Sequence, residues 1–309
     1  MFRLRLKQCA LFGVLLAACA SSPTASSPDA SAPTTRGEYD PTPFGGARPV
    51  QVYVPNGYSD AKPAPLLILL HGYSASGLLE DLYLNLRASA EKYGLLYAHP
   101  DGKIDLKGNK YWNATDACCD FGKTNVDDSK YLSDLVIEIE TRYKVDPKRV
   151  YFIGHSNGAF MSYRMACDHA DVVAGVMTLA GETWLDTGKC NPSAPVAILH
   201  VQGTADATIK YDGGSNGGLG GGVYPGAAVT TSTWAKYNGC GPTLDTSAPP
   251  LDLEASIPGP ETTVSKLTSG CKANGQVELW SIQGGSHIPA FTPAFDPAMI
   301  EWLLAHPKP

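Results

Sequence analysis

Two pentapeptides in the chain have the spacing Gly-x-Ser-x-Gly, which is typical of a serine that acts as a nucleophile. They occupy residues 154–158 and 213–217. A serine hydroxyl needs a base to take its proton, and flanking glycines allow the serine to sit on a tight strand-to-helix turn. A strand pattern precedes only the first pentapeptide, and a helical pattern follows it, whereas the second lies among glycines. Ser156 is therefore the predicted nucleophile, and Ser215 is predicted to be only part of a loop.

An acid and a base that could serve this nucleophile occur later in the chain, in the order Ser, Asp, His. Asp206 and His287 each follow a strand-like apolar segment, which is where the acid and the base of such a layout belong. Asp212, a few residues further into the same loop, is the alternative acid. Only His287 and His306 follow Asp206, and His306 lies on the predicted closing helix near the chain end. We therefore predict Asp206 as the acid and His287 as the base.

The oxyanion formed during attack on a carbonyl needs two backbone N–H donors. Asn157, the residue after the nucleophile, is expected to supply one of them. The other is expected from the loop 71–74, which follows the first buried strand, and it is assigned to Tyr73 with one residue either way left open. His71, which opens this loop, is predicted to be a buried structural imidazole.

These residue types predict acyl transfer to water. His287 would take the proton of Ser156 as the serine attacks an ester carbonyl, while Asp206 would orient the imidazole and stabilise its charged form. Water would then hydrolyse the acyl-enzyme. This chemistry requires neither a metal nor an organic cofactor.

The elements that must position these residues alternate between strand-like and helix-like segments. Residues 65–70 form a continuous apolar run, as expected for a strand that is buried on both faces. Such alternation predicts an α/β protein with a mostly parallel central sheet and helices on both faces. The predicted strands are 50–54, 65–70, 95–98, 150–153, 172–179, 196–201 and 277–282, and the predicted helices are 78–92, 127–143, 157–167, 229–237 and 297–305. Residues 241–275, rich in Pro, Thr and Ser, are predicted to be a surface excursion.

Length and charge limit the function classes. The chain has 309 residues, of which 43% are hydrophobic, which suits one large domain with a substantial core. The formal net charge is −6 and no basic patch stands out, so nucleic acid is not an expected partner. We expect a monomer.

The first residues have the pattern of an export signal. Three basic side chains precede a short apolar stretch that is too short to span a bilayer, so residues 1–18 are predicted to be a signal peptide. Cys19 follows directly and resembles the cysteine of a bacterial lipobox, which implies lipid attachment there. The alternative is ordinary signal cleavage. Residues 19–40 are predicted to be a disordered tether, rich in Ser, Pro and Thr, before a catalytic domain at 41–309. The expected location is the bacterial cell envelope, the outer membrane included, or the medium, with no other contact to a membrane.

Six cysteines remain in the predicted mature domain, and an even number in an exported chain suggests disulfides. Cys240 and Cys271 bracket the excursion and are the favoured pair. The other two bonds are expected to join Cys118 and Cys119, in either order, to Cys167 and Cys190. Metal binding at the adjacent cysteines is the alternative, but no CxxC or HxxxH spacing supports it, so no metal site is predicted.

Several motifs together resemble one family, the poly(3-hydroxybutyrate) depolymerases and feruloyl or acetylxylan esterases of carbohydrate esterase family one, which have the α/β-hydrolase fold. The motifs cover residues 70–74, 112–119, 126–128, 146–151, 154–158, 203–206, 234–240 and 285–287. The resemblance implies a serine carboxylesterase that hydrolyses polyesters or acyl groups on plant polysaccharide. It also makes Tyr73 and Trp112 candidates for lining an acyl pocket, with a buried structural role as the alternative for Trp112.

The chain departs from the secreted polyester depolymerases in three features: no visible substrate-binding module, a lipobox, and an enlarged glycine loop after Asp206. These features favour soluble oligomers or small acyl esters over a polymer. Two other classes stay open, a serine peptidase of the α/β-hydrolase type and a non-catalytic surface protein. A lipase is less favoured because no long amphipathic lid is visible.

Overall fold

The computed structural model describes residues 36–309. The predicted signal peptide, Cys19 and the tether up to residue 35 fall outside the described residues. None of the helices in the described range is long and apolar enough to cross a membrane.

The described residues form a series of strands and helices that alternate through most of the chain. The strands are Glu38–Tyr39 (β1), Val52–Val54 (β2), Ala64–Leu70 (β3), Leu96–Ala98 (β4), Lys103–Ile104 (β5), Lys110–Tyr111 (β6), Val145–His155 (β7), Gly175–Leu179 (β8), Ala197–Gly203 (β9), Gly214–Ser215 (β10), Val223–Tyr224 (β11), Thr262–Leu267 (β12) and Val277–Ile282 (β13). The helices are Gly77–Leu84 (α1), Leu86–Tyr93 (α2), Asp128–Arg142 (α3), Asn157–Asp168 (α4), Ala227–Tyr237 (α5) and Phe295–Leu304 (α6).

The central sheet has nine strands in the order β1-β2-β4-β3-β7-β8-β9-β13-β12. The six strands from β4 to β13 in this order pair in parallel, and β1, β2 and β12 extend the two edges in antiparallel pairing. The predicted mostly parallel sheet is therefore confirmed. Since parallel strands end at the same edge, the residues that follow β3, β7, β9 and β13 are brought together there.

Strand β3 shows why the apolar run predicted a strand covered on both faces. Leu66, Ile68 and Leu70 belong to the core beneath α3, α4 and α5. Leu67 and Leu69 belong to the opposite core, which includes side chains of α2 and α6. Successive side chains of a strand alternate between faces, so a strand in the middle of a three-layer structure must be apolar at every position.

The helix predicted at 78–92 is two helices, α1 and α2. Asn85 separates them in a left-handed conformation, with φ 47° and ψ 36°. Asparagine adopts this conformation more readily than most residues, and a single such residue ends a right-handed helix. Beyond the break, Leu86 and Ala90 of α2 pack in the core on one face of the sheet.

Two predicted boundaries need correction. The tether was predicted to extend to residue 40, but Glu38 and Tyr39 already pair with Val54 and Tyr53 at the sheet edge. The excursion at 241–275 contains β12, which pairs along its whole length with β13. Both strands were missed because they lie at edges, where burial on one side leaves little apolar pattern to detect.

The structure contains three disulfides among the described cysteines. The predicted bond between Cys240 and Cys271 is confirmed. The predicted joining of the adjacent cysteines to Cys167 and Cys190 is wrong, because Cys118 is bonded to Cys119 and Cys167 to Cys190. Cys167 lies in the last turn of α4, which brings its Cα within 5.7 Å of that of Cys190. That distance is in the usual range for a disulfide, and it depends on a chain path that cysteine spacing alone does not reveal.

Candidate active site

Ser156 lies on the sharp turn between β7 and α4. Its backbone has φ 54° and ψ −117°. This is a sparsely populated conformation for a residue with a side chain, costing about 1–3 kcal/mol, and it persists only where the surroundings impose it. Here the Ser156 N–H donates to the Leu179 carbonyl at 2.7 Å, and the Ser156 carbonyl accepts from Phe160 N–H at 3.1 Å. The half-buried hydroxyl is thereby held at the carboxyl edge of the sheet.

The two glycines of the pentapeptide are required by close backbone approaches. A Cβ on Gly154 would lie 2.1 Å from the Gly158 carbonyl oxygen, and a Cβ on Gly158 would lie 2.0 Å from the Leu70 carbonyl oxygen. Both neighbours are main chain, which cannot move aside as a flexible side chain could. The spacing Gly-x-Ser-x-Gly is thus explained by close packing within the turn, at Gly154, and against β3, at Gly158.

We expect Gly158→Ala to destabilise the fold by about 1–3 kcal/mol, the usual effect of overpacking, and to lower activity by displacing the Ser156 turn. Gly57→Ala is the matched control, because Gly57 is exposed and has no heavy atom within 4 Å of its would-be Cβ. Thermal and urea unfolding would measure both variants. Equal stability of the two variants would contradict the steric argument.

Asp206 and His287 form a hydrogen-bonded pair at the ends of β9 and β13. The His287 Nδ1 is 2.8 Å from the Asp206 Oδ2. The other carboxylate oxygen of Asp206 accepts from the N–H groups of Thr208 and Ile209, at 2.8 and 2.9 Å. Since a carboxylate can only accept, Nδ1 carries the proton and Nε2 is left as the free acceptor.

The two loops that carry this pair are packed closely together. A Cβ on Gly203 would lie 2.2 Å from the Gly285 carbonyl oxygen, so only glycine fits there. The Ala205 N–H donates to the same carbonyl at 3.0 Å. This packing brings Asp206 and His287 together although they are far apart in the chain.

The pair lies beside the Ser156 turn. The ring of His155, the residue before Ser156, has its centroid 5.1 Å from that of His287. Within residues 36–309 the Ser156 hydroxyl makes no hydrogen bond. Catalytic hydrogen bonds are often long without substrate and shorten when it binds.

The predicted oxyanion donors flank Ser156 from two segments. A Cβ on Gly72 would lie 3.5 Å from the Cβ of Ser156, so the loop containing Tyr73 passes directly beside the serine. Within the part of the chain that the structure describes, neither the Tyr73 N–H nor the Asn157 N–H donates to a protein acceptor. Two backbone donors without a protein partner beside Ser156 are the arrangement that an oxyanion would need.

Trp112 does not line a pocket, and that prediction is wrong. Its side chain is 0% exposed. The indole N–H donates to the His71 carbonyl at 3.1 Å, and the Trp112 main chain exchanges hydrogen bonds with the Asn157 side chain at 2.7 and 2.9 Å. Trp112 therefore supports the two donor segments from below, the structural role left open as its alternative.

The Tyr73 side chain is half-buried. Its hydroxyl donates to Asp105 at 2.6 Å, and its ring meets that of Phe121 edge to face at 5.4 Å. His71 is fully buried, with Nδ1 2.7 Å from the Gly72 carbonyl and Nε2 accepting from Gly102 N–H at 2.9 Å. Burial lowers the pKa of His71. Its two hydrogen bonds and its burial match the buried structural imidazole that was predicted.

The alternatives that the sequence left open lie in exposed positions. Ser215 lies in the exposed hairpin of β10 and β11, and Asp212 is exposed in the preceding turn. No group of three or more His, Cys, Asp or Glu side chains in the described range is placed to hold a metal ion.

Two site residues were missed by sequence reasoning, Glu80 and His155. Both are buried beside the Ser156 turn and are hydrogen-bonded to each other. The only hint in the sequence was a polar residue at a position expected to be apolar. Glu80 lies in the first turn of the helix after the donor loop, and His155 ends an apolar strand. Neither position could be linked to the other without the fold.

The sheet order, together with Ser156, Asp206 and His287 standing after β7, β9 and β13, defines the α/β-hydrolase fold, as predicted. Residues 42–212, more than half of the chain, match the family model Esterase, described as "Putative esterase", and the chain belongs to this family.

Relatives agree with that assignment. The chain is 32% identical to feruloyl esterase B of Piromyces equi over 245 residues, covering 78% of this chain and 42% of that protein. It is 29% identical to poly(3-hydroxyalkanoate) depolymerase C of Paucimonas lemoignei over 181 residues, covering 55% of this chain and 39% of that one. The chain thus spans less than half the length of these curated relatives. The predicted resemblance to feruloyl esterases and polyhydroxyalkanoate depolymerases is confirmed.

A solved structure supports the fold. An acetyl xylan esterase from Aspergillus awamori superposes with a TM-score of 0.57 at 17% identity, covering 85% of this chain and 96% of that one. At this identity the likeness concerns the fold, and the residues of the site must carry the argument about chemistry.

Proposed function

We propose that the protein is a serine carboxylesterase in which Ser156 is the nucleophile, His287 the base and Asp206 the acid. The observation that carries the proposal is the strained Ser156 turn beside the hydrogen-bonded Asp206–His287 pair, with two backbone donors that have no partner among residues 36–309. A strained residue and unpaired donors are costly in a merely structural turn. Their coincidence at one strand edge supports acyl transfer.

The geometry suggests a sequence of steps. His287 Nε2 takes the proton as Ser156 Oγ attacks the ester carbonyl, and Asp206 stabilises the resulting imidazolium through Nδ1–H. The carbonyl oxygen becomes an oxyanion that accepts hydrogen bonds from Tyr73 N–H and Asn157 N–H. His287 then protonates the leaving alkoxide, and water hydrolyses the acyl-enzyme by the same route in reverse.

We propose feruloyl or acetyl esters of plant polysaccharide, or hydroxyalkanoate oligomers, as the substrate class. The relatives with a feruloyl esterase or polyhydroxyalkanoate depolymerase name support this range. The edge-to-face pair of Tyr73 and Phe121 places aromatic surface next to the donor loop, which suits an aromatic or short acyl chain. The large glycine loop after Asp206 favours small esters and oligomers over an insoluble polymer.

The test is hydrolysis by the full-length protein across one panel of esters. The panel holds p-nitrophenyl acetate and butyrate, methyl ferulate, acetylated xylan and hydroxybutyrate oligomers, with amino-acid p-nitroanilides as peptidase substrates. We expect turnover of esters, with one class preferred, and no turnover of the anilides. A fluorophosphonate probe should label Ser156.

The outcomes separate the proposed classes. Turnover of anilides and not of esters would identify a peptidase and contradict the proposal. Absence of both turnover and probe labelling in folded protein would indicate a non-catalytic member of the fold.

Export to an oxidising compartment is part of the proposal. Three disulfides are formed among the described cysteines, and such bonds persist in exported proteins far more than in the cytosol. Lipid attachment at Cys19 stays a prediction from sequence.

A further inference from the structure

A buried ion pair joins the segments that the proposed reaction needs. Glu80, on the first turn of α1, is 3% exposed, and His155, the residue before Ser156, is 6% exposed. Glu80 Oε1 lies 3.0 Å from His155 Nδ1, and Glu80 Oε2 accepts from Gly72 N–H at 3.0 Å. His155 Nε2 lies 3.1 Å from the main-chain carbonyl oxygen of His287. One chain of hydrogen bonds thus runs from the donor loop through the Ser156 turn to the His287 loop.

The partners of His155 limit its protonation states. The His287 carbonyl can only accept, so Nε2 must carry a proton. Glu80 Oε2 accepts from Gly72 N–H, which leaves one proton to be shared between Glu80 Oε1 and His155 Nδ1. With Glu80 ionised, that proton lies on Nδ1 and His155 is an imidazolium.

The electrostatics agree with this assignment. Burial alone would lower the pKa of His155, but the hydrogen bond and negative charge of Glu80 outweigh it and raise that pKa. Burial alone would raise the pKa of Glu80, but the hydrogen bond and charge of His155, with Gly72 N–H, lower it. Each group therefore favours the charged form of the other.

The surroundings offer few competing partners. Helix α1 presents Glu80 and Tyr83 to the imidazole, and the loops after β9 and β13 present Asp206 and His287. Tyr83 also donates to the Pro289 carbonyl at 2.8 Å, which gives α1 a second attachment to the His287 loop. His71, neutral and buried, faces Glu80 from the end of β3.

We propose that Glu80 and His155 are positioning residues, whose ion pair holds the donor loop and the His287 loop in register with Ser156. The proposal rests on the proposed function, since it concerns the geometry of that same site. Neither residue contacts the reacting atoms; both act through Gly72, through the Ser156 turn and through the His287 main chain. A misplacement of about 1 Å among such groups is enough to cost roughly 100-fold in rate.

The pair predicts a defined pH dependence. A group whose folded-state pKa is raised stabilises the fold fully below its unfolded pKa, and the contribution is lost as pH rises through the folded value. Loss of the His155 proton leaves a ring nitrogen lone pair facing the Glu80 carboxylate or the His287 carbonyl. Activity should therefore fall on the alkaline side as His155 deprotonates.

The first test uses the wild-type full-length protein and does not depend on activity. Nuclear magnetic resonance of ¹⁵N-labelled histidine side chains reports whether each ring nitrogen is protonated, and the His155→Phe variant assigns the signal. We expect both nitrogens of His155 to be protonated at neutral pH. A neutral His155 imidazole at that pH would overturn the proposal.

The second test separates charge from structure by kinetics. Glu80→Ala should lower kcat by roughly 10- to 100-fold with KM changed less than about threefold, because positioning acts on the transition state. Glu80→Gln can keep all three bonds in neutral form, with its amide donating to a neutral His155. It should recover most of kcat and lose the alkaline limb of the kcat/KM profile.

Glu138→Gln is the matched control, because Glu138 also accepts from a backbone N–H, that of Gly45 at 2.8 Å, but far from the site. It should keep the wild-type kcat and pH profile. A wild-type alkaline limb in Glu80→Gln, or full activity in Glu80→Ala, would overturn the positioning role. Failure of the wild-type protein on every ester would instead contradict the proposed function and leave the resonance test intact.

Discussion

Replacing Ser156 by alanine is expected to lower kcat by roughly 10⁴- to 10⁶-fold on any ester that the wild-type protein hydrolyses. In the proposed reaction the Ser156 hydroxyl forms the acyl-enzyme, so its loss would leave only the backbone donors and substrate binding to assist the reaction. The unfolding temperature should stay the same or rise, because alanine removes no hydrogen bond that Ser156 makes through its side chain within the described residues. Steady-state kinetics and thermal unfolding would measure the two effects separately.

The control for this substitution is Ser215→Ala. Ser215 belongs to the second pentapeptide of the same spacing, but it lies in an exposed hairpin. We expect kcat and fluorophosphonate labelling of this variant to match those of the wild type. Should Ser215→Ala lose labelling while Ser156→Ala keeps it, the assignment of the nucleophile would be reversed.

Asp206→Asn is expected to lower kcat by about 10⁴-fold, and the hydrogen bonds around Asp206 give the reason. Thr208 and Ile209 N–H donate to Oδ1, so the oxygen of an asparagine would stay with them. Its NH₂ group would then face His287 Nδ1, which would have to accept. The imidazole proton would move to Nε2, where it blocks transfer from Ser156.

The control for the acid is Asp212→Asn. Asp212 is exposed and precedes the glycine loop, so its loss of charge should leave kcat within about twofold. The pH dependence of kcat/KM should accompany the measurement, because a wrong tautomer abolishes the base rather than shifting its titration. If Asp212→Asn were the damaging variant and Asp206→Asn were not, the acid would have to be reassigned.

Local pattern was enough to predict most of the sheet and the positions of Ser156, Asp206 and His287 at strand ends. The alternation of apolar segments with helical ones predicted the parallel strands, because a strand buried on both faces must be apolar throughout, as β3 is. The spacing around Ser156 predicted its turn, because Gly154 and Gly158 are forced by contacts within a few residues of the turn and with the adjacent strand. Strand-end positions predicted that Asp206 and His287 would meet, as they do at 2.8 Å.

The edge strands β1 and β12 and the pairing of four of the six cysteines were not predicted, because neither feature has a local sequence pattern. Strand β12 pairs along its whole length with β13, but most of its residues are polar, which is typical of a loop. The bond between Cys118 and Cys119 excludes the cross-links that spacing allowed, and it depends on the path of one loop. Burial of Trp112 likewise depends on the neighbours that the fold places around it.

The sequence by itself therefore determined the fold class and the predicted nucleophile, base and acid, since these depend on periodicity, chain order and short spacings. The family came from the resemblance of several motifs to known enzymes. Only the tertiary structure revealed which buried residues hold the predicted nucleophile, base and oxyanion donors in place. Glu80 and His155 are 75 residues apart, and nothing in either local sequence predicts that one carboxylate and one imidazole share a buried hydrogen bond. Periodicity reports which face of an element is buried, whereas the pairing of two polar groups depends on where the whole chain places them.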